Sequence, residues 1–557
     1  MARGFAHPAL VWPIAACLAG VLPAGNPANS RLTAAELAAA HAAAHVAALD
    51  SIRKDDLQQV VGVLADDAFE GREAGSRGGH AAAGYIVERL QKLNLAGAAG
   101  GGSYRQPFGN GCHNLIATLP GRDPQLEQEI ILISAHYDHV GYGSQRNSFG
   151  PFGYVHNGAD DNASGVAALL EVADALALSG YPMRRTICLA FWDGEEQGLL
   201  GSKHWTQQPT LPLDRIKLMI NLDMVGRLRD DRVEVYGTRS WAGSRALVAR
   251  ANAATSLLLD YRWEHKDNSD HDSFFQHSIP YLMYHTGLHE NYHRPSDDVE
   301  RLNYSGMERV SELVWNTLVE IDQQSELAPF RPESRQETEH DRTRWQMAGS
   351  APAPRLGIQW DPQSISPAQP GLKITFVAPG SPADRAGLHV GDRLMTCNNQ
   401  PIESADEFQR QVFAAQNLQL GIQPRSAAAQ ASRSPVSSVA TADTVAPAGS
   451  SAVQPASAAE PLGPWREMNV ALQGGPQKLG ISWREIPGEA SSVVLVQVAA
   501  GSPAARAGLR IGDRLVRLGP HVSLQATELT RLAPQLELPV EAEIERDGRL
   551  QTVQLSQ

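Results

Sequence analysis

The chain has 557 residues, of which 42% are hydrophobic, and its 48 basic and 61 acidic residues give a formal net charge of -13. This length exceeds what one hydrophobic core organises, and at roughly 100–200 residues per domain it predicts three or four domains. The negative charge argues against nucleic acid or an anionic membrane surface as the main partner. It favours a peptide, or a cation held by carboxylates.

The N-terminal segment combines one early basic residue, Arg3, with an apolar stretch over residues 9–22. This stretch is too short to predict a stable membrane span, but it is typical of a signal peptide. We therefore interpret residues 1–28 as a signal peptide and expect export to the periplasm or the extracellular space. A disordered apolar tail is the alternative, because Pro13 and Pro23 interrupt the stretch.

The sequence has four cysteines, Cys17, Cys112, Cys188 and Cys397, and the first would be lost with a signal peptide. The three that remain are widely spaced, which predicts neither a disulfide framework nor a thiolate zinc site. Any metal would therefore be bound by histidines and carboxylates.

Residues 31–322 are predicted to form one domain. After an Ala-rich helical pattern over residues 33–64, apolar runs alternate with helical patterns. Four runs are continuous and rich in Ile, Leu and Val, as expected of strands covered on both faces: EIILISAHYD, TICLAFWDGEE, IKLMINLDMVG and IPYLMYH. The alternation predicts an α/β fold with an open, mostly parallel sheet and helices on both faces, over about residues 110–322.

The remainder of the chain contains an internal repeat. Residues 323–350 are charged, lack an apolar period and are predicted to be a linker. VAPGSPADRAGLHVGDRL at 377–394 then matches VAAGSPAARAGLRIGDRL at 498–515, which predicts two small β-rich modules, residues 351–473 and 474–557. A low-complexity tract at about 425–463 cannot bury enough apolar surface to order itself. We hypothesise that this tract is a long loop inside the final hairpin of the first module.

Polar residues follow the predicted strands of the first domain. They are His136 and Asp138 after the first run, Glu195 and Glu196 after the second, and Asp223 after the third. In an open α/β sheet, ligands bind at the carboxyl ends of the strands. The loops that carry the Asp160–Asp161 pair and His293 can open onto the same edge. Such a set of imidazoles and carboxylates suits zinc or another borderline divalent ion.

These motifs resemble those of the di-zinc aminopeptidases, a family that also contains glutamate carboxypeptidases. The resemblance runs in order over about residues 55–322 and rests on SAHYDHVG, NGADDNASGVAALLE, FWDGEEQGLLGS, NLDMVG, SDHDSFFQHSIPYL and NYHRPSDD. It implies two zinc ions per chain and an exopeptidase activity, most simply that of an aminopeptidase that removes N-terminal residues from peptides.

Residue by residue, the resemblance implies that Asp160 bridges both metals. His136 and Asp223 would complete one zinc site, and Glu196 and His293 the other. Glu195 would be the general base acting on the water shared by the metals, and Asp138 would orient His136. Asp161 would support Asp160, with a cis peptide bond between the two.

Several histidines and one acid near the motifs match no role. His139, His285 and His289 are interpreted as pocket-lining or surface groups, and Asp270 and His271 receive no assignment. Two alternative functions remain open. A carboxypeptidase of the same family would present a cation to the terminal carboxylate, for which Arg227 is one source, and a catalytically inactive peptide-binding protein would have lost ligand positions, of which none is missing.

The repeated modules resemble PDZ domains of the bacterial protease type. Their LGI segments, Leu356, Gly357 and Ile358 in the first module and Leu479, Gly480 and Ile481 in the second, match the loop that binds a C-terminal carboxylate. The resemblance implies C-terminal peptide ligands bound by strand addition. A role in packing or oligomerisation is the alternative.

Overall fold

The structure is a computed structural model that describes residues 34–347, 355–366, 369–425, 463–473, 478–499, 501–522 and 524–556. The predicted signal peptide and most of the low-complexity tract lie outside these residues. The chain divides into two compact units, one extending to Glu339 and including Asp547–Arg549, and the other comprising the rest. Within the described ranges, no helix is both long and apolar enough to cross a membrane.

The first unit is built on a nine-stranded sheet with the order β1-β3-β5-β4-β6-β9-β7-β8, and β2 pairs with β3. Its strands are β1 (Ala96–Gly97), β2 (Arg105–Phe108), β3 (Cys112–Leu119), β4 (Ile130–His136), β5 (Thr186–Trp192), β6 (Ile216–Leu222), β7 (Arg232–Tyr236), β8 (Leu258–Tyr261) and β9 (Tyr281–His285). The four central strands, β5, β4, β6 and β9, are parallel to one another. They coincide with the four predicted apolar runs, so the prediction of an open, mostly parallel sheet is confirmed.

Helices cover both faces of this sheet. They are α1 (Ala34–Ser51), α2 (Lys54–Leu64), α3 (Arg77–Lys92), α4 (Gly165–Leu178), α5 (Leu200–Gln207), α6 (Ser244–Ala251), α7 (His271–Gln276) and α8 (Tyr304–Asp322). The apolar sides of α2, α4 and α8 form the larger core against one face. Trp205 of α5 and Phe274 of α7 belong to a second core on the other face. Because both faces are covered, the central strands have no polar alternation.

Glu171 is a buried acid on α4, and it makes the stability of the fold depend on pH. Its Oε2 accepts a hydrogen bond from the backbone N–H of Arg53 at 2.9 Å, whereas its Oε1 has no partner among the described residues. Burial raises the pKa of this carboxyl to about 8. The folded protein therefore holds the group protonated at pH values where the unfolded chain, with a pKa of about 4.3, has released the proton.

Glu171→Gln is expected to be more stable than the wild type above pH 8. Because the folded pKa is the higher one, the stability that Glu171 contributes is complete below the unfolded pKa and is lost as pH rises through about 8. Glutamine resembles the protonated acid at every pH. The free energy of unfolding of the variant, relative to that of the wild type, should therefore be about 1–3 kcal/mol higher at pH 9 than at pH 5. Urea unfolding of both proteins at the two pH values measures this, and parallel changes in both would contradict it.

The second unit contains two six-stranded sheets with the same strand order, β10-β11-β12-β14-β15 and β16-β17-β18-β20-β21, in which β13 pairs with β12 and β19 with β18. The first sheet comprises β10 (Ile358–Asp361), β11 (Leu372–Val377), β12 (Arg393–Cys397), β13 (Gln400–Pro401), β14 (Asn417–Gln423) and β15 (Arg466–Ala471). The second comprises β16 (Ile481–Arg484), β17 (Val493–Val498), β18 (Arg514–Leu518), β19 (His521–Val522), β20 (Val540–Arg546) and β21 (Arg549–Leu555). The shared order corresponds to the internal repeat in the sequence.

Short helices complete the two modules: α10 (Pro382–Arg385) and α11 (Ala405–Ala414) in the first, and α12 (Pro503–Arg506) and α13 (Ala526–Leu532) in the second. Strand β14 pairs with β15 in antiparallel register from Asn417 opposite Ala471 to Ile422 opposite Arg466. The low-complexity tract lies between these two strands in sequence, which is the pairing that the hairpin hypothesis requires. The described part of the predicted linker contains a short 3-10 helix (Pro332–Arg335) and the α-helix α9 (Glu339–Gln346), which has no buried residue.

Candidate metal centre

The candidate centre lies where the parallel strands end. His136 is the last residue of β4, Glu195 and Glu196 follow β5, and Asp223 follows β6 directly. His293 lies in the loop after β9, where Tyr292 and His293 rings pack with centroids 3.9 Å apart. Parallel alignment therefore brings residues that are far apart in sequence to one edge of the sheet, as predicted.

The potential ligand atoms form two groups in which all atoms lie within 4.8 Å of one another. The first group comprises His139, Asp161, Glu196 and His293, and the second comprises His136, Glu195 and Asp223. In the first group, Nε2 of His293 is 3.0 Å from a carboxylate oxygen of Asp161 and 3.0 Å from one of Glu196. In the second, Nε2 of His136 is 3.5 Å from Oδ1 of Asp223.

Asp161 lies between the two groups. Its Oδ1 is 3.4 Å from Nε2 of His136, and its Oδ2 is 3.0 Å from Nε2 of His293. Asp161, rather than Asp160 as predicted, therefore lies between candidate ligands of both groups. The cis peptide bond also lies one residue later than predicted, between Asp161 and Asn162.

Asp160 belongs to neither ligand group, and both of its carboxylate oxygens have other partners. Its Oδ1 accepts hydrogen bonds from the backbone N–H of Gly226 at 2.6 Å and the hydroxyl of Ser164 at 3.1 Å. Its Oδ2 is 3.0 Å from Nε2 of His289. His289, predicted to be a pocket-lining or surface group, is instead a buried partner of Asp160. Asp160 thus ties the segment before α4 to the loops after β6 and β9.

Asp297 holds the backbone of the aspartate pair, and sequence reasoning missed it. Its Oδ2 accepts hydrogen bonds from the backbone N–H groups of Asp160 and Asp161, each at 3.0 Å. Burial, with the nearby charge of Asp160, raises the pKa of the Asp297 carboxyl well above its ordinary value. Since Asp297 follows His293 by four residues, one loop supplies both a candidate ligand and the support for another.

Asp138 contacts the loop after β5 more closely than it contacts His136. Its carboxylate accepts hydrogen bonds from the backbone N–H groups of Glu195 at 3.1 Å and Glu196 at 3.3 Å. Nδ1 of His136 is 3.2 Å from the backbone carbonyl oxygen of Asp138 and 3.7 Å from the carboxylate. Asp138 therefore positions both acids after β5, and it contacts the His136 ring mainly through its main chain.

His139 belongs to the first group, although the sequence analysis gave it no ligand role. Its Nδ1 is 2.8 Å from Oε1 of Glu196 and 3.7 Å from Oδ2 of Asp161. Its Nε2 is buried and has no hydrogen-bond partner in the described ranges. The position of His139, three residues after His136, was the available signal for this contact.

The centre concentrates negative charge in a buried space. Burial raises the pKa of Glu195 well above its ordinary value, and Glu196, Asp270 and Asp223 add to this effect. Burial alone would lower the pKa of His293, but the carboxylates of Asp161 and Glu196 raise it to about 11. The surroundings therefore favour positive charge at this position.

The residues present fit zinc. Nε2 of His293 is buried and faces two carboxylate oxygens at 3.0 Å, yet no described residue satisfies it with a hydrogen bond of good geometry. Such a close approach of an imidazole nitrogen and two carboxylate oxygens, without hydrogen bonds between them, is typical of ligands that share a cation. Imidazole and carboxylate ligands without thiolates are a common donor set for zinc in hydrolytic sites.

Arg72 holds the backbone segments that flank the candidate ligands. It is fully buried, and its guanidinium donates to four backbone carbonyl oxygens: Leu64 at 2.7 Å, Tyr137 at 2.9 Å, Asn157 at 2.6 Å and Gly158 at 2.9 Å. Burial lowers its pKa to about 10, with opposition from Asp161 and Asp138, so the group stays charged at neutral pH. It joins the chain after β4 to the segment that precedes the aspartate pair.

Arg72→Lys is expected to destabilise the protein by about 3 kcal/mol. A lysine keeps the charge but cannot reproduce the planar fork that reaches four carbonyl groups, so at least one carbonyl loses a charged donor. Arg77→Lys, in an exposed position at the start of α3, is the matched control. Urea unfolding compares the two variants, and a change below about 0.5 kcal/mol for Arg72→Lys would contradict the role assigned to Arg72.

The LGI segments of the two modules share one local geometry. Gly357 and Gly480 have φ of +83° and +71°, and a Cβ at either position would collide with the side chain of Ser381 or Ser502. Each glycine precedes the first residue of an edge strand, β10 or β16. A serine side chain therefore packs against the loop where only glycine leaves room.

Comparison with known sequences agrees with this architecture. Residues 114–318 match the sequence model described as Peptidase family M28, and residues 345–423 match that of the PDZ domain. The chain contains an M28 peptidase domain followed by a PDZ domain. The family resemblance predicted from the motifs is thereby confirmed, and the PDZ match lies in the first of the two modules, up to residue 423.

Curated relatives match part of the chain. Leucine aminopeptidase 1 of Trichophyton rubrum is 34% identical over 161 residues, covering 27% of this chain and 40% of the relative. Aminopeptidase YwaD of Bacillus subtilis (strain 168) is 28% identical over 200 residues, covering 33% and 40%. A probable zinc metalloprotease of Pyrenophora teres f. teres (strain 0-1) is 36% identical over 149 residues, covering 26% and 30%. The chain spans less than half the length of these relatives.

Proposed function

We propose that this protein is a zinc-dependent aminopeptidase that hydrolyses N-terminal residues from peptides. The observation that carries the proposal is the position of Asp161, whose two carboxylate oxygens face His136 on one side and His293 on the other. The first group also contains Glu196, and the second contains Asp223 and Glu195. The relatives named as leucine aminopeptidases and zinc metalloproteases support the same activity.

Two zinc ions per chain are proposed. His136, Asp161 and Asp223 would hold one, and Asp161, Glu196 and His293 the other, with His139 adjacent to Glu196. When bound, zinc would act as a Lewis acid toward the scissile carbonyl and favour ionisation of a nearby water. The four carboxylates of Asp161, Glu195, Glu196 and Asp223 are balanced in charge by two divalent cations.

Glu195 is proposed as the general base and then the general acid. One of its carboxylate oxygens takes a proton from the attacking water and delivers it to the nitrogen of the departing amine. The hydrogen bond from its backbone N–H to Asp138 fixes the turn that presents the side chain. Asp138 is in this way a positioning residue for Glu195.

An N-terminal amine is favoured over a C-terminal carboxylate as the recognised group. Asp270 lies near Glu195 in addition to the four carboxylates that two zinc ions would balance, and this remaining acid attracts an ammonium group and repels a carboxylate. Arg227, the candidate cation for a carboxypeptidase, donates to Oδ1 of Asn291 at 3.1 Å and lies 4.0 Å from Glu290. Its charge is thus directed toward neighbouring side chains.

The LGI loops are proposed to bind C-terminal peptide segments, including those of protein substrates. The glycine in each loop allows a backbone with positive φ next to an edge strand, and this edge strand can pair with an added peptide strand. Export is proposed as well, on the basis of the apolar stretch that follows Arg3.

The test is hydrolysis of a matched panel of peptides that carry a reporter at either end. The full chain, supplied with zinc, is expected to cleave leucine p-nitroanilide and free-amine peptides, and to leave N-acetylated versions of the same peptides intact. Release of C-terminal residues from the N-acetylated peptides, with leucine p-nitroanilide left intact, would contradict the proposed function.

A further inference from the structure

The segment from residue 140 to residue 156 carries four exposed aromatic side chains. Tyr142, Phe149, Phe152 and Tyr154 are 48%, 63%, 47% and 63% exposed. Aromatic groups clustered on a surface in this way usually mark a binding site. We call these four residues the aromatic rim.

The rim forms one patch. The backbone N–H of Gly153 donates to the carbonyl oxygen of Tyr142 at 2.8 Å, which places Tyr142 beside Phe152 and Tyr154. Phe152 also lies next to Gly150, one residue after Phe149. The four rings therefore belong to a compact loop.

The rim is attached to the candidate metal centre. The backbone N–H of Phe149 and the hydroxyl of Ser148 both donate to the carbonyl oxygen of His293, at 3.1 Å and 3.0 Å. The ring of Phe149 lies 6.4 Å from that of His293 and 6.2 Å from that of Tyr292, between centroids. The Phe149 ring is thus an apolar group directly beside a proposed zinc ligand.

Several hydrogen bonds fix the loop in this position. Nε2 of His156 is 2.6 Å from the hydroxyl oxygen of Ser148, and the guanidinium of Arg294 donates to the carbonyl oxygens of Phe149 and Gly150 at 2.9 Å and 3.1 Å. A preformed apolar surface loses little conformational entropy when a ligand covers it.

We propose that the aromatic rim binds apolar side chains of the peptide substrate on the C-terminal side of the scissile bond. The inference rests on the proposed aminopeptidase function. The first residue of the substrate must enter the buried acidic centre, so the remainder of the peptide has to leave across the surface beside it. Because the rim is exposed and adjoins His293, it lies where residues after the scissile bond would pass. The enzyme then prefers peptides with an apolar or aromatic residue after the first.

The test compares kcat/KM for Leu-Phe-Gly and Leu-Gly-Gly with the full chain. Burial of a phenyl side chain against the rim predicts a ratio of about ten or more in favour of Leu-Phe-Gly. Phe149→Ala and Phe152→Ala are each expected to lower that ratio by about threefold or more. Leu178→Ala, which removes an equally exposed apolar side chain from α4, should leave the ratio unchanged.

The outcomes separate the rim from the proposed function. Hydrolysis of both peptides with a ratio near one, or a ratio that neither Phe variant lowers, overturns the rim proposal alone. Failure to hydrolyse either peptide overturns the aminopeptidase function and the rim with it. Sedimentation of the same proteins tests whether a second copy of the chain binds the rim instead of the substrate. A wild-type dimer that Phe152→Ala dissociates would show that the rim is a contact between copies, and it would overturn the proposal.

Discussion

Glu195→Gln is expected to lower kcat for leucine p-nitroanilide by about 10²–10⁴-fold while zinc binding is retained. Glutamine preserves the shape of the side chain but cannot accept and return the proton of the attacking water. The three residues proposed to hold each ion, with Asp161 common to both sets, remain unchanged in this variant. KM is expected to change far less than kcat, because the amine and the first side chain of the substrate keep their contacts.

The matched control for this variant is Glu88→Gln, which removes the same charge from an exposed position on α3. It should retain wild-type kcat. Steady-state kinetics, with zinc content determined on the same samples by mass spectrometry, distinguishes loss of the base from loss of the metal. If zinc-loaded Glu195→Gln keeps more than about a tenth of the wild-type kcat, Glu195 is not the general base.

Asp161→Asn is expected to abolish measurable activity and to lose bound zinc, whereas Asp160→Asn keeps its zinc. Asp161 faces candidate ligands of both groups, so neutralising it weakens both proposed sites at once. Asp160 instead accepts hydrogen bonds from Gly226 and Ser164, and it lies within hydrogen-bonding distance of the His289 ring. Its replacement should cost about 1–3 kcal/mol of folding stability through weaker hydrogen bonds.

The adjacent aspartates are matched in charge, chain position and substitution, so each variant is the control for the other. Zinc content after dialysis and urea unfolding are measured on both. Zinc loss in Asp160→Asn with retention in Asp161→Asn would restore the assignment that the motif resemblance implied and contradict the one made from the structure.

The convergence of the site could be predicted because it follows from strand direction. The apolar runs fixed the positions of β4, β5, β6 and β9, and the carboxyl ends of parallel strands meet at one edge. Residues placed directly after those strands, such as His136 and Asp223, had to be neighbours whatever the details of the loops.

The orientation of Asp160 and Asp161 could not be predicted, because the loop that carries them has no regular period. Asp161 has φ of -103° and ψ of 94°, and Asn162 has φ of -131° and ψ of 40°, both outside helical values. Adjacent residues in such a backbone point in different directions, and a sequence of two identical side chains gives no indication of which faces the site.

The contacts that support the site could not be predicted from the sequence either, because they join residues that are distant along the chain. Asp297 meets the aspartate pair across a separation of 136 residues, and Arg72 reaches Gly158 across 86. Neither contact follows from a period or from a strand end. His139 differs from these, because its proximity to His136 in sequence was visible and only the direction of its ring was not.

Zinc titration of the metal-free wild-type chain tests the central claim most directly. Protein stripped with a chelator is supplied with increasing zinc while release of leucine from leucine p-nitroanilide is followed. The account predicts that the stripped protein is inactive and that activity returns in full by two equivalents of zinc per chain. Full aminopeptidase activity of the metal-free protein, or none at any zinc concentration, would contradict it.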